Sequence, residues 1–466
     1  MFLDIDKREP SSIAAVEDSG QALTYGQLGE FCREWKAVIP SRTLIFILSE
    51  NELGAMAAYV ASLSERVVPL LLSGHTDKEL LENLICLYEP QYIWFPDRQL
   101  TEKEEKRVIY KKLGYSLIRT DYPSPALFPD LALLLPTSGS TGSSKLVRHS
   151  YVNVEANARN VAAFFELNPE ERAMAVLPLH YTMGLSVVTS HLCAGATVLL
   201  SRRSLLDKEF WEYMQKYKAT SFTGVPYSYE LLHKLRFFRM NLPDLKIITQ
   251  GGGKLSPELF KAYAMYAEET GKKFIATYGQ TEGTARMAYL PHTLALTKIG
   301  SIGRAIPQGE LSLVDSEGQV IEEEEGEGQM VYKGPNVTLG YARTKTDLQK
   351  GDENEGVLYT GDIARRDKDG CYYIVGRMKR FLKIFGLRIG LDEIEYLVKT
   401  EFRTDCVCGG DDERLLVYIP DGNTEAVRDF IEQKTGLYHK NIEVRKIDKI
   451  ERNEAGKIVF HSVDNR

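Results

Sequence analysis

Two apolar runs, RTLIFILSE at 42–50 and RVVPLLLSG at 66–74, flank NELGAMAAYVASL, an alanine-rich segment with a helical pattern. Each run reads as a buried strand, and strand–helix–strand order is the signature of a parallel sheet. A third run, DLALLLP at 130–136, leads into a loop rich in glycine and serine. The pattern then predicts a helix over 150–165 and strands at 173–179, 196–200 and 246–253.

From about 300 the texture changes. Short strands and turns, as in GELSLVDSEGQ and GQMVYKGPN, predict an antiparallel or barrel-like region. The acidic stretch IEEEEGEG at 321–328 reads as a solvated loop. A chain of 466 residues exceeds what one core accommodates, so two or more domains are expected. The basic segment GRMKRFLKIFG at 376–386 marks a boundary. We divide the chain into a large domain, 1–376, a hinge, 377–380, and a small domain, 381–466.

The formal net charge of -7 argues against a nucleic-acid partner but not against an anionic small ligand. Six scattered cysteines, with no paired C-x2-C spacing, suit reduced thiols in a cytoplasmic protein. The charged N-terminal MFLDIDKREP lacks the apolar core of a signal peptide. No apolar run reaches the ~20 residues of a membrane span.

The first chemical signal is PTSGSTGSSKLVRHS at 136–150, set between a predicted strand and a predicted helix. Thr137, Ser138, Ser140 and Thr141 offer hydroxyls, Gly139 and Gly142 expose backbone N–H groups, and Lys145 adds a cation. These groups can wrap phosphate oxygens. A polar surface loop is the plain alternative. A Walker-type reading fails, because Lys145 is preceded by Ser144 and followed by Leu146.

The loop resembles the T-S-G-[ST]-T-G-x-P-K-G segment of the adenylate-forming superfamily: acyl-CoA synthetases, peptide-synthetase adenylation domains and luciferases. Ser144 stands for the proline and Leu146 for the last glycine. LPLHYTMGLS at 177–186, ITQGGGKLSPEL at 248–259, ATYGQTEGTA at 276–285, GSIGRAIPQGE at 300–310 and GPNVTLGY at 334–341 follow in the family's order. So do YTGDIARRDKDGCYYIVGRMKR at 359–380, GLRIGLDEIE at 386–395 and NEAGKIVF at 453–460. The resemblance implies an α/β fold: a large N-terminal domain of αβαβα layers with a distorted β-barrel subdomain, plus a small mobile α+β domain.

It also implies roles. Tyr278 would stack on adenine, with Gly251, Gly252 and Gly253 beside the base; without its signature, Tyr278 is equally a core tyrosine. Within Tyr278-Gly279-x-Thr281-Glu282, Thr281 would meet the α-phosphate and Glu282 would ligate Mg²⁺. Asp362 has two acceptor oxygens for the ribose hydroxyls, although a turn aspartate reads the same way. Arg377 would contact ribose or phosphate. Lys379 falls at the pivot, followed by Arg380 where the family usually has an acid. Lys457 would bring positive charge to the reacting carboxylate and α-phosphate.

The implied reaction is attack of a carboxylate on Mg-ATP, giving acyl-adenylate and pyrophosphate, followed by acyl transfer to a thiol. That thiol would be coenzyme A or the phosphopantetheine of a carrier protein acting in trans. The acyl pocket would draw on His180, Tyr181, Thr182, Gly184, Thr223 and Gly283. Amino-acid-activating relatives usually carry an aspartate where Thr182 stands, which disfavours an α-amino acid. The rival readings are an amino-acid- or amide-forming ligase on the same fold, a non-catalytic nucleotide or acyl sensor, and a P-loop kinase releasing ADP, which the spacing at Lys145 weakens.

Overall fold

In the computed structural model of the chain, the run at 42–50 forms the strand Leu44–Ser49, buried at every position. The run at 66–74 forms Val68–Ser73, paired with it in parallel from Leu44 opposite Val68 to Ser49 opposite Ser73. The connecting helix, Leu53–Ser64, is buried along nearly its whole length. The structure describes residues 1–136, 145–378, 380–384, 387–411, 413–454 and 458. By internal contacts the chain divides into two units, Met1–Leu311 with Tyr332–Leu358, and Ser312–Val331 with Tyr359–Arg466.

Two large sheets organise the first unit. One has eight strands, with the parallel set Tyr92–Pro96, Leu44–Ser49, Val68–Ser73 and Leu131–Pro136 at its centre. The other has nine strands. Its interior strands, Thr197–Leu200, Arg172–Ala175, Ser221–Gly224, Ile247–Gln250 and Lys273–Tyr278, are all parallel.

Side chains alternate across each strand, so each sheet has two apolar faces to cover. The helices Tyr25–Val38, Leu53–Ser64, Tyr151–Phe164 and Thr182–Ala194 fill the space between the sheets. Their Phe31, Met56, Val154 and Val188 share one core with Ile45 and Leu133 of one sheet and Ala175 and Val198 of the other. On the outer faces, Leu84 and Tyr88 of Lys78–Tyr88 cover Phe46 and Leu70. Phe260 and Tyr263 of Pro257–Glu269 cover Ile248 and Phe274. The result is the five-layered αβαβα order that the family resemblance implies.

One expectation is corrected. The segment after the loop does not run straight into a helix: the buried strand Leu146–Ser150 intervenes, antiparallel to Leu131–Pro136, with Pro136 opposite Leu146. The helix then starts at Tyr151, capped by Ser150 and Asn153 in a reciprocal box. Arg148 and His149 look polar in the sequence yet are fully buried, because their partners come from far along the chain. Arg148 donates to the carbonyls of Leu339, Tyr341, Lys350 and Gly351 and pairs with Glu353.

The barrel-like region is a four-stranded sheet in the order Glu310–Val314, Gly326–Lys333, Val357–Arg366, Tyr372–Arg377. Beyond it come the hairpin of Phe381–Ile384 with Leu387–Gly390, the helices Leu391–Phe402 and Thr424–Thr435, and a three-stranded sheet. Ile394, Val398, Val417, Val427 and Ile431 close this α+β core. Arg380 is half-buried here, bonded to Asp392 and Glu395, whose carboxylate also accepts from the Cys408 N–H. All six cysteines are free. No helix among the described residues is long and apolar enough to cross a membrane.

Candidate active site

The site is built where the strand Lys273–Tyr278 ends. Tyr278 is half-buried there, and its hydroxyl accepts from Gln280 at 3.1 Å. The backbone then doubles back so tightly that a Cβ on Gly279 would lie 1.4 Å from the Ala285 carbonyl oxygen. Only glycine fits. Thr284 and Ala285 both adopt left-handed backbone, φ 49° and 80°, a strained pair for residues bearing a Cβ.

A distant segment holds this turn. Asn336 Nδ2 donates to the Gly283 carbonyl at 2.7 Å, and Thr284 Oγ1 donates to the Asn336 carbonyl at 2.7 Å. The Thr338 N–H donates to the Glu282 carbonyl at 3.0 Å. The Tyr341 hydroxyl donates to Glu282 Oε1 at 2.8 Å. Asn153, already a cap, also donates to the carbonyls of Pro335 and Val337 at 2.8 and 2.7 Å.

The strand Leu146–Ser150 joins the same knot. Tyr341 pairs with Val147. His149 Nε2 donates to the Thr281 carbonyl at 3.2 Å. Burial pushes the His149 imidazole down to about 4, so the ring is neutral at neutral pH. Lys145 sits with its Nζ 3.5 Å from the centre of the Tyr341 ring, a cation–π contact. Burial and the neighbouring Glu282 push the Tyr341 phenol well up, keeping it a donor.

Lys145, Thr281 and Glu282 are thereby gathered into one bonded cluster. Thr281 is buried and Glu282 half-buried. No group of three or more His, Cys, Asp or Glu side chains among the described residues forms a metal cage. A lone carboxylate suits Mg²⁺, which keeps waters and takes substrate phosphate oxygens as its other ligands.

A second neighbourhood joins the expected base and acyl segments. Gly252, φ 76°, packs against Tyr181: a Cβ there would lie 3.0 Å from the Tyr181 hydroxyl. The Gly251 N–H donates to the Gly224 carbonyl at 3.1 Å, and the Gly253 carbonyl accepts from Gln250 Nε2 at 2.7 Å. Thr223 is buried on the adjacent strand, opposite Thr249. His180 is half-buried, Tyr181 buried, and Thr182 opens the helix Thr182–Ala194. Gly184 in that helix presses on the carbonyls of Leu177 and Pro178.

In the second unit, Asp362 and Arg377 face each other across antiparallel strands, with Arg377 Nε donating to Asp362 Oδ1 at 3.1 Å. Asp362 is buried, whereas Arg377 is exposed. Thr137, Ser138, Gly139, Ser140, Thr141, Gly142, Lys379 and Lys457 lie outside the described residues.

Sequence reasoning singled out neither Tyr341 nor His149 or Asn336. Tyr341 and Asn336 lie within GPNVTLGY, so the segment was visible while their contacts were not. Nothing local marks His149.

The AMP-binding enzyme family matches residues 4–342. The oxalate–CoA ligase of Arabidopsis thaliana is 30% identical over 276 residues, covering 58% of this chain and 52% of that protein. The long-chain-fatty-acid–CoA ligase of Salmonella typhimurium is 30% identical over 327 residues, covering 68% of this chain and 55% of that protein. The chain thus spans about half the length of the curated relatives it matches. Among solved structures, the O-succinylbenzoate coenzyme A synthetase of Bacillus subtilis in complex with AMP superposes with a TM-score of 0.79. It covers 100% of this chain and 98% of that one at 20% identity, a likeness of fold. With the family match spanning most of its length and the fold in agreement, the chain belongs to the AMP-binding enzyme family.

Proposed function

We propose that the protein activates a carboxylic acid with ATP, forming an acyl-adenylate and pyrophosphate, and then transfers the acyl group to a thiol. The observation that carries this reading is the Lys145–Tyr341–Glu282 cluster, which puts a cation and a hard anionic oxygen on one tyrosine. Such a pair suits a polyphosphate and its Mg²⁺. Mg²⁺, when bound at Glu282, neutralises phosphate charge.

The chain's own residues do the positioning. Lys145 and the hydroxyls at 137–141 hold phosphate oxygens, and Thr281 orients the α-phosphate. Tyr278 offers a face to adenine beside Gly251, Gly252 and Gly253. Asp362, steadied by Arg377, accepts from the ribose hydroxyls. Lys457 supplies positive charge where the carboxylate oxygen bonds to the α-phosphorus as the bond to pyrophosphate breaks. The thiol then attacks the acyl carbonyl and AMP leaves. We assign the pivot between the two half-reactions to Lys379, within the hinge 377–380.

The names of the relatives, CoA ligases for oxalate and for long-chain fatty acids, support coenzyme A as the acceptor over a carrier protein in trans. Free cysteines support a reducing, cytoplasmic setting. The test is to incubate enzyme and Mg-ATP with a panel of acids, with and without coenzyme A, and to measure pyrophosphate, AMP and ADP. Acid-dependent pyrophosphate, with AMP turnover rising on adding coenzyme A, is the expected result. Acid-dependent ADP without AMP would overturn it.

A further inference from the structure

Of the six cysteines, only Cys406 and Cys408 stand close in the sequence, and the fold sets them side by side: both are buried, with their sulfurs 3.9 Å apart. Side chains two residues apart on an extended chain share a face. Buried thiols also serve as small apolar side chains, and this pair shares the core of Ile394, Val417 and Ile431. What singles it out is the set of groups fastened to its backbone.

Cys408 lies on Val407–Gly410, an edge strand of the three-stranded sheet. Its N–H donates to Glu395 Oε1 at 2.7 Å, and its carbonyl accepts from Arg380 Nη2 at 3.4 Å. Arg380 directly follows Lys379, the residue assigned to the pivot. Cys406 directly follows Asp405, whose carboxylate pairs with Arg452 and lies 3.8 Å from Lys399. Arg452 bridges Ile458, and Lys457 is the residue before it. The two thiols thus share one short segment, whose contacts reach the sequence neighbours of both Lys379 and Lys457.

The pair can close. A disulfide needs its sulfurs about 2.05 Å apart, roughly 2 Å nearer than they stand. The ladder to the neighbouring strand begins at Val407, opposite Tyr418, so the movement falls on residues 404–406. Joining residues two apart on extended backbone strains the bond, and a strained disulfide is readily reduced. That suits a reversible link rather than a permanent staple.

We propose that Cys406 and Cys408 form a redox site, which hydrogen peroxide joins into a reversible disulfide that slows the enzyme. Burial pushes the Cys408 thiol well up, which leaves Cys406, ahead of the strand, as the sulfur oxidised first. The Cys406 thiolate attacks one peroxide oxygen, the O–O bond breaks and the other oxygen leaves as water, giving a sulfenic acid. The Cys408 sulfur then attacks the Cys406 sulfur, the S–O bond breaks and a second water leaves. Two electrons pass from the thiol pair to the peroxide, and a dithiol returns them. Closing draws Cys406 toward Cys408, which pulls Asp405 from Arg452 and disturbs the Cys408 contacts with Glu395 and Arg380. The effect on rate rests on the adenylation reading, whereas the disulfide itself does not.

The test exposes the full chain, carrying Cys86→Ser to remove an exposed thiol, to hydrogen peroxide, blocks free thiols and maps the peptides by mass. The expected result is a Cys406–Cys408 link, an intact mass lower by about 2 Da, and pyrophosphate release slowed about 10-fold, all reversed by dithiothreitol. Adding Cys408→Ser should abolish both the link and the dithiothreitol-reversible loss. Both thiols still free in the folded, treated enzyme, or Cys406 carried straight to the sulfinic acid, would overturn the site. A complete link with an unchanged rate would overturn the switch. The mass readout needs no turnover: a link in an enzyme that releases no pyrophosphate even when reduced would fault the adenylation reading and leave the redox site standing.

Discussion

The hydroxyl of Tyr341 donates to Glu282 Oε1 at 2.8 Å while the face of the same ring meets Lys145 Nζ at 3.5 Å. One side chain therefore sets the spacing between an anion and a cation that come from segments more than a hundred residues apart. Tyr341→Phe keeps the ring and loses the bond to Glu282. We expect about a 10-fold fall in kcat and a higher Mg²⁺ requirement, since a single charge-assisted bond is lost. Tyr341→Ala, which also removes the cation–π contact, should raise KM for ATP further. Steady-state kinetics over a Mg²⁺ series will read both.

Lys457 is assigned to the first half-reaction and Lys379 to the pivot that leads to the second, so the two should separate kinetically. Lys457→Ala should slow acyl-adenylate formation by about 10²–10³-fold, with less effect on thiol transfer from a supplied acyl-adenylate. Lys379→Ala should do the reverse. Near-normal acyl-AMP formation by Lys457→Ala would remove that residue from the first step.

His149 links the site to pH through stability. Its folded pKa is about 4 against an ordinary 6.5. Between those values the unfolded chain binds the extra proton, so stability rises with pH across the window and is lost as pH falls from 6.5 toward 4. His191, buried and likewise pushed to about 4, acts with the same sign. Thermal midpoints measured from pH 7 to 4.5 should drop, and His149→Asn should flatten part of the slope. An identical slope in the variant would show that His149 is not the titrating group.

Arg380 stands where the family usually carries an acid, and its packing explains how the substitution is accommodated. It is bonded to Asp392 and to Glu395, whose carboxyl is pushed up by burial and partly drawn back by the guanidinium. Arg380→Asp would set three carboxylates together, and we expect a loss of about 3–5 kcal/mol in the stability of the second unit, measured by denaturant unfolding. Pairing Arg380→Asp with Glu395→Lys should restore part of it.

The parallel strands were legible because their evidence is local, whereas the αβαβα layering followed from the family resemblance. The apolar runs at 42–50 and 66–74 and the helix between them declare their environment residue by residue. The strand Leu146–Ser150 was not legible. Its Arg148 and His149 read as surface residues, and what buries them comes from Leu339 to Glu353 and from Thr281. The site divides the same way. Glu282 and Lys145 lie in recognisable segments, but that they meet on Tyr341 depends on a pairing across almost two hundred residues.

Asn153 caps its helix with one end of its amide and clasps the 335–337 backbone with the other. Chains recombined between members of this family would feel that double engagement. A crossover anywhere between 153 and 335 takes the cap from one parent and the clasped turn from the other. It would fold only where both parents keep the same loop geometry. A crossover beyond 358 leaves the pair together, and that is where exchange of the C-terminal part between relatives should be best tolerated.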